Sequence, residues 1–250
     1  MTIKLLVSGI AGSGKTSLLE SLGEDSFVVS RDAKAFGLPI PHMLVDKYVN
    51  MNTLIYGNEK EGIEGIVQKI ENYEKHFGKY PTNVVIDSVS QIFMDVIDVS
   101  SQTANVYGSQ GAETTKEIGL LVKFLHEDLE LNGINVILLN HVIEEVSDGA
   151  KTGILLPFGS GKFLQKGAFF STTNEAITVN VEGQNRSVTL RGVEKQARTV
   201  YQELPDKMWI QNINNPDKSK KLKEGEVYFN LQEHINFLTS KQSDVNKWSL

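Results

Sequence analysis

The chain has 250 residues, no cysteine and a formal net charge of −6 at pH 7, with 40% hydrophobic and 22% charged residues. This composition is typical of a globular protein with one large domain, or one domain and a small appendage. It excludes disulfides and thiolate metal sites, and it argues against a wholly basic nucleic-acid binder, although a local basic groove needs only a few lysines. Since no apolar run approaches about 18 residues, we expect no membrane span and a cytoplasmic location.

The first predicted strand, residues 3–7, leads into the sequence GIAGSGKTS at residues 9–17. This is the P-loop pattern G-x-x-x-x-G-K-[ST], in its required place between a strand and a helix. Glycines let successive backbone N–H groups converge on phosphate oxygens, and the helix that follows points its positive end at the same anion. Lys15 is expected to reach the β- and γ-phosphates, and the Thr16 hydroxyl to bind magnesium. The predicted nucleotide-binding residues are Gly9, Ala11, Gly12, Ser13, Gly14, Lys15, Thr16 and Ser17.

The next elements are a second buried strand over residues 26–30 and a loop over residues 37–41, where two prolines forbid regular structure. Residues 54–56 are consistent with a short strand. Apolar residues then recur at helical spacing over residues 63–77, which predicts an amphipathic helix that ends at the following glycine and proline.

Residues 84–88, with the sequence VVIDS, predict an apolar strand with a carboxylate, Asp87, at its carboxyl end. This is the Walker B arrangement. We expect the strand to be buried beside the P-loop strand, so that Asp87 emerges at the phosphates and holds Mg²⁺ through water. Apolar strands that end in Asp are common, and it is the complete P-loop upstream that makes the pattern informative.

Residues 100–111 are polar and contain glycine, which predicts a surface loop. An amphipathic helix from residue 118 to 129 follows, and then a buried strand over residues 136–139 that ends in Asn140 and His141. Polar side chains at the end of a central strand lie where a γ-phosphate sensor would lie. A purely structural role for His141 is the alternative, and the sequence leaves both open.

Residues 147–166 predict a second long polar loop that contains both lysines and aromatic residues. Proteins that bind single-stranded DNA use lysines for phosphates and aromatic rings for bases. The alternative is that the two phenylalanines are buried in the core. The residues concerned are Lys151, Phe158, Lys162, Phe163 and Lys166.

In the last part of the core, β-branched and apolar residues alternate with polar ones over residues 176–181 and 187–190, on either side of a Gly-Gln-Asn sequence. This pattern predicts a β-hairpin. Beyond it we expect a lysine-rich loop, a short strand over residues 227–229 and a short helix over residues 231–238. Such a basic run is most often a solvated surface. The predicted division is a core over residues 1–210 and an extension over residues 211–250.

Taken in order, these motifs resemble the RecA-type recombinase core, and specifically the short phage-encoded RecA-like ATPases associated with single-strand annealing. The resemblance covers roughly residues 3–205. The sequences on which the resemblance rests are the P-loop, SRDAK at residues 30–34, the strand over residues 84–88, LLNH at residues 138–141 and GKF at residues 161–163. It implies an α/β, RecA-like P-loop NTPase core with a mostly parallel central sheet flanked by helices and a C-terminal hairpin.

The resemblance also implies an activity, namely ATP hydrolysis with Mg²⁺, by a homo-oligomer that acts on single-stranded DNA in recombination or replication, with a single-strand-binding protein as a further partner. The family places a catalytic Glu where this chain has Asp32, and an Asn-Gln pair where it has Asn140 and His141. Lys195 and Arg198 fall where the family's trans-acting cations reach a neighbour's γ-phosphate. The two polar loops are similar in position to the family's DNA-binding loops, and a phage-encoded protein would work in the cytoplasm of the bacterial host.

Two other functions are consistent with a P-loop. A small-molecule or nucleotide kinase clamps a second phosphate-bearing substrate with cations, often arginines of a lid, but no arginine occurs between Arg31 and Arg186. A nucleotide-gated adaptor would bind ATP, hydrolyse little of it and recruit another protein. Asp32 in place of Glu and His141 in place of Gln are compatible with that slow turnover.

Overall fold

The computed structural model describes residues 2–31, 37–46, 48–103, 109–147, 150–157, 173–192, 197–212 and 215–246. In these ranges strands and helices alternate around a mixed, mostly parallel sheet. The α/β class that the sequence predicts is therefore confirmed, as is the hairpin near the end of the predicted core.

The sheet places the P-loop strand in the interior, with neighbours on both sides. Eight strands follow the order β3-β2-β4-β5-β1-β7-β8-β9, and β6 pairs with the far end of β5. The pairs from β3 to β7 are parallel, whereas β7–β8, β8–β9 and β5–β6 are antiparallel. The strands are β1 (Lys4–Gly9), β2 (Ser26–Ser30), β3 (His42–Leu44), β4 (Asn83–Asp87), β5 (Asn135–Ser147), β6 (Ala150–Pro157), β7 (Glu175–Glu182), β8 (Asn185–Thr189) and β9 (Lys207–Ile210).

Helices cover both faces of the sheet, which explains why the central strands are almost continuously apolar. The α-helices are α1 (Lys15–Leu18), α2 (Met51–Tyr56), α3 (Ile66–Phe77), α4 (Val89–Thr103), α5 (Ser109–Lys123), α6 (Leu129–Leu131) and α7 (Leu231–Asn246), and a π-helical segment (Phe124–Asp128) joins α5 to α6.

Alternation along β1 divides the hydrophobic core in two, because successive strand residues point to opposite faces. Leu6 belongs to the cluster that packs against α2 through α6. Leu5 and Val7 belong to the cluster that contains Leu18 of α1 and Leu231 of α7. The P-loop therefore leaves a strand that is held by apolar packing on both faces.

Several local predictions are wrong. Residues 54–56 are helical rather than a short strand, because the Asn50 side chain caps α2 by accepting a hydrogen bond of 2.8 Å from the Thr53 backbone N–H. Residues 227–229 are not assigned to a strand; Phe229 N donates a single backbone hydrogen bond of 2.7 Å to Trp209 O. The helix predicted over residues 231–238 is present as α7, which extends further, to Asn246.

Both predicted polar loops contain regular structure. The first, residues 100–111, is helical at both ends, because α4 extends to Thr103 and α5, which packs against it, begins at Ser109. In the second, residues 150–157 form β6, since the continuation of β5 offers them backbone hydrogen-bond partners. Polarity alone does not show whether a segment has a neighbouring element to pair with.

Two predictions about the sheet also need correction. β5 lies between β1 and β4, so the strand that carries Asp87 is not the direct neighbour of the P-loop strand. β5 itself does not end at Asn140 and His141 but continues to Ser147. Its parallel pairing with β1 does end there, opposite Gly9, and β6 then replaces β1 as its partner.

Candidate nucleotide site

The P-loop lies at the carboxyl edge of the sheet, between the end of β1 and the start of α1. Gly9 is opposite His141 of β5 on one side and opposite Val179 of β7 on the other. On β4, Asp87 is opposite Leu139 of β5. The register of the parallel strands therefore brings a glycine loop, a histidine and a carboxylate to one edge, which is where ligands bind in open α/β sheets.

The glycines at both ends of the loop are required by the structure. A Cβ atom on Gly9 would lie 2.6 Å from Ser13 Oγ and 2.9 Å from the Val179 carbonyl oxygen, so only glycine allows this close approach of β1 and β7. Gly14 has a φ of 93°, in the left-handed region that favours glycine. The sequence pattern thus reflects the shape of the loop as well as its chemistry.

Lys15 is 5% exposed, and its ammonium group is turned back onto its own loop. Lys15 Nζ donates hydrogen bonds to Gly9 O at 2.8 Å and to Ile10 O at 3.0 Å, and it lies 3.2 Å from His141 Nδ1. An ammonium group can only donate, so a hydrogen bond between these two atoms has His141 Nδ1 as the acceptor. The loop holds a buried cation that donates to two backbone carbonyl oxygens, which phosphate oxygens can replace.

Thr16 and Asp87 meet across the strand that separates β1 from β4. Thr16 Oγ1 donates a hydrogen bond of 3.0 Å to Asp87 Oδ2, although 71 positions separate the two residues in sequence. Asp87 is 4% exposed. The structure therefore brings together the hydroxyl and the carboxylate that the sequence predicts as the metal-binding pair.

The start of α4 supports this edge of the site. His141 N donates a hydrogen bond of 3.1 Å to Ser90 Oγ, and Ser90 Oγ lies 3.2 Å from Ser88 Oγ. The Asp87–Ser88 peptide bond is cis. The contacts of Ser90 Oγ with His141 N and with Ser88 Oγ connect β5 to the residue that follows Asp87. The backbone next to His141 and the backbone next to Asp87 therefore belong to one hydrogen-bonded network.

The two polar residues predicted as sensors differ in position. Asn140 is opposite Ser8 on β1, one residue below the loop, and it is 8% exposed. His141 is opposite Gly9 and in contact with Lys15. Of the two, His141 is the one that the structure places in the P-loop.

Arg198 lies away from the P-loop of its own chain. Its backbone pairs with Ala176 of β7, which is opposite Leu6 and therefore about 10 Å below the loop end of β1. Its guanidinium donates to Thr173 O, still further toward the amino edge.

Near Arg198, burial raises the pKa of Glu175 to about 7, although hydrogen bonds from Thr199 and the Val200 backbone and the charge of Arg198 oppose that rise.

The remaining predicted site residues lie outside the described part of the chain. These are Asp32, Lys195, Lys162, Phe163 and Lys166, together with the side chain of Lys151, whose backbone belongs to β6. The predicted water-activating carboxylate, one of the predicted trans-acting cations and the predicted DNA contacts therefore stay predictions.

Arg186 is at the site although the sequence pattern does not indicate it. An ideal Cβ atom on Gly14 would lie 3.0 Å from Arg186 Nη1 and 3.1 Å from both Cζ and Nε. The guanidinium thus lies flat on the P-loop backbone. The only available signal was the cluster of three arginines late in the core, which includes Arg191 and Arg198, and it does not distinguish Arg186 from them.

Thr16 and Asp87 fit a magnesium site of the kind that also uses nucleotide phosphates. Mg²⁺ prefers oxygen ligands, keeps several waters and is commonly held by one or two protein oxygens plus phosphate oxygens. Thr16 Oγ1 and Asp87 Oδ2 are two protein oxygens of this kind, 3.0 Å apart. Within the described ranges, no group of three or more His, Cys, Asp or Glu side chains is arranged to hold a metal ion.

Comparison with known proteins leaves the family open. No protein-family model matches the chain, and no curated protein matches it. Of the helices in the described ranges, none combines the length and the apolar character needed to cross a membrane.

Proposed function

We propose that this chain binds ATP together with Mg²⁺ and hydrolyses it. The observation that carries the proposal is the hydrogen bond of 3.0 Å from Thr16 Oγ1 to Asp87 Oδ2. A glycine turn without a ligand would have no need for a buried carboxylate from a distant strand. Beside it, the buried Lys15 ammonium supplies the positive charge that a polyphosphate requires. Charged groups this well buried at one edge of a sheet are typical of functional sites.

In hydrolysis of ATP, the bond between the γ-phosphorus and the β,γ-bridging oxygen breaks, and a bond to a water oxygen forms. The protein contributes position and charge rather than covalent chemistry. Lys15 would exchange the carbonyls of Gly9 and Ile10 for the β- and γ-phosphate oxygens and offset the charge that develops there. Thr16 and Asp87 would hold Mg²⁺, which when bound supplies further charge stabilisation. Asp32 is the proposed residue that orients the attacking water.

The experiment that tests this is a comparison of phosphate release by the wild type and by Lys15→Ala, with Mg²⁺ and ATP. We expect Lys15→Ala to lower turnover by about a hundredfold or more while the circular dichroism spectrum is unchanged. Lys123→Ala is a matched control, because Lys123 is exposed on α5 and pairs with the exposed Glu127 at 3.8 Å.

Other outcomes would assign the site differently. Unchanged turnover in Lys15→Ala would contradict the site. Tight ATP binding with negligible turnover, with and without DNA, would support the adaptor. Transfer of radiolabelled γ-phosphate to nucleoside monophosphates would support a kinase.

We further propose that the protein is a RecA-like ATPase that assembles into homo-oligomers and acts on single-stranded DNA. The resemblance of the ordered motifs supports this, together with a mostly parallel sheet that has the P-loop strand in its interior. The oligomer rests on the resemblance, in which Arg198 and Lys195 serve a neighbouring subunit, and Arg198 lies away from the P-loop of its own chain. The proposed DNA contacts rest on the lysine and phenylalanine residues of 151–166 alone.

A further inference from the structure

We infer that Arg186 is a nucleotide-binding residue that contacts the α-phosphate, and that it acts within its own subunit. This inference rests on the proposed function. Arg186 differs from Lys195 and Arg198, the cations that the family resemblance assigns to a neighbouring subunit. It comes from the β7–β8 hairpin, which no part of the proposed nucleotide site otherwise uses.

The geometry of the hairpin explains how Arg186 reaches the loop. Val179 of β7 is opposite Gly9, the last residue of β1, and β7 continues to Glu182. Arg186 pairs with Val181, two residues further, and therefore lies about 7 Å above the end of β1. This is the height at which the P-loop leaves the sheet.

The face of the hairpin is also set by alternation. Val188, two residues along β8 from Arg186, is buried in the same cluster as Leu18 and Leu19, which follow the P-loop. Because alternate residues of a strand point to the same face of the sheet, Arg186 points to the face on which Val188 is buried. Its guanidinium lies on Gly14, where an ideal Cβ atom would be 3.0–3.1 Å from three of its atoms.

The guanidinium is exposed, and within the described ranges it makes no hydrogen bond or ion pair. Elsewhere in these ranges, Arg31 and Arg191 are both paired with carboxylates. A planar, permanently charged group with five donors is suited to a phosphate. Arg186 therefore offers donors to an anion bound at the loop without first breaking an ion pair.

The side of the loop on which Arg186 lies indicates which phosphate it contacts. His141 and Asp87 approach the loop from β5 and β4, and they mark the end where the metal and the γ-phosphate belong. Arg186 approaches from β8, on the other side of β1. A nucleotide with its γ-phosphate toward Asp87 directs its α-phosphate toward Arg186.

The test is a fluorescence titration of wild type, Arg186→Ala and Arg186→Lys with a non-hydrolysable ATP analogue, the matching GTP analogue and ADP, each with Mg²⁺. We expect Arg186→Ala to weaken all three by the same factor, about tenfold or more, because each ligand carries the α-phosphate. Arg186→Lys should retain part of the affinity. Arg191→Ala is the matched control, since Arg191 pairs with Asp206 at the surface and should bind as the wild type does.

Three results would overturn the inference. A loss for the ATP analogue but not for ADP would assign Arg186 to the γ-phosphate. A loss that differs between the ATP and GTP analogues would assign it to the base, and wild-type affinity for all ligands would remove it from the site. Thermal unfolding of each variant verifies that the fold is intact. Failure of the wild type itself to bind nucleotide would instead contradict the proposed function.

Discussion

The Thr16 hydroxyl is hydrogen-bonded to the Asp87 carboxylate at 3.0 Å, although Thr16 belongs to α1, which follows β1, and Asp87 ends β4, which is not a neighbour of β1 in the sheet. β5 separates β1 from β4, so the contact is made beyond the β1–β5 pairing, where Lys15 also approaches His141 of β5. A glycine loop that merely connects β1 to α1 would not need this contact. It therefore joins the two parts of the proposed site, the phosphate loop and the metal carboxylate.

Asp87→Asn is expected to raise the Mg²⁺ concentration for half-maximal ATP hydrolysis by about tenfold or more. The amide oxygen can still accept the Thr16 hydrogen bond, but the charge that attracts the metal is lost, and interactions with charged groups contribute about 1.5–3 kcal/mol. A Mg²⁺ titration of steady-state turnover measures the effect. Thr16→Ser keeps the hydroxyl and serves as the control. An unchanged Mg²⁺ requirement in Asp87→Asn would contradict the metal assignment.

His141→Ala is expected to lower kcat by about tenfold to a hundredfold while the affinity for ADP changes little. His141 Nδ1 lies 3.2 Å from Lys15 Nζ, and if Lys15 turns to the phosphates, the imidazole faces the γ-phosphate position. Single-turnover hydrolysis and ADP titration separate the two effects. Asn140→Ala tests the neighbouring residue, which lies one position below the loop. A larger loss in Asn140→Ala than in His141→Ala would reverse the assignment of the sensor.

The sequence is informative about the site wherever function needs a fixed residue type at fixed spacing. Lys15, Thr16 and Asp87 lie together at one edge of the sheet, where strand register brings the P-loop and the end of β4 close to each other, and their roles stay predictions. Arg186 could not be predicted, since its contact with Gly14 depends on how far the β7–β8 hairpin rises above β1. That height follows from long-range strand register, which a linear pattern does not contain.

The same distinction holds for the fold. Strands with continuous apolar runs, such as residues 84–86, and the periodic helix α3 are recognisable, because their own residues carry the apolar pattern that packing against the rest of the core requires. β6 is not recognisable, since its residues are strand only because the continuation of β5 pairs with them. The insertion of β5 between β1 and β4 is likewise a property of the whole sheet.

Glu175→Gln is expected to stabilise the protein above pH 7. Burial raises the pKa of Glu175 from 4.5 to about 7 in the folded state, so the folded protein holds a proton that the unfolded chain has lost. Stability from this residue is fully present below pH 4.5 and is lost as the pH rises through 7, by up to about 3 kcal/mol. A glutamine side chain is neutral at all pH values, so the Glu175→Gln protein does not lose this stability as the pH rises.

Urea unfolding of the wild type and of Glu175→Gln between pH 5 and pH 9 measures this difference. Burial also lowers the pKa of His234 to about 4, which destabilises the protein on the acid side, but this contribution is common to both proteins and cancels. A stability difference that does not grow between pH 5 and pH 8 would contradict the assignment to Glu175.

ATP hydrolysis per subunit is expected to rise with protein concentration and with added single-stranded DNA. If Arg198 or Lys195 completes the site of a neighbour, an isolated subunit lacks a cation that can contribute 10³–10⁵ in rate. Turnover measured over a hundredfold range of protein concentration, with and without DNA, tests this. Arg198→Ala should flatten the concentration dependence. A wild-type rate that is independent of both variables would contradict the assembly, and electron microscopy with an ATP analogue would show whether it forms.

β5 runs from the interior of the sheet, past the nucleotide edge, to Ser147, and its register with β6 shifts between Glu144 and Val146. His141, which contacts Lys15, lies near its middle, and about 20 Å of extended chain follows it. That outer part pairs antiparallel with β6, so the end of β6 at Pro157 lies opposite Val142, next to His141. The chain therefore leaves β6, toward the proposed DNA contacts at Lys162, Phe163 and Lys166, beside the residue that contacts Lys15. The proposed nucleotide site and the residues that lead to the proposed DNA contacts thus meet at one pair of neighbouring residues of β5, His141 and Val142.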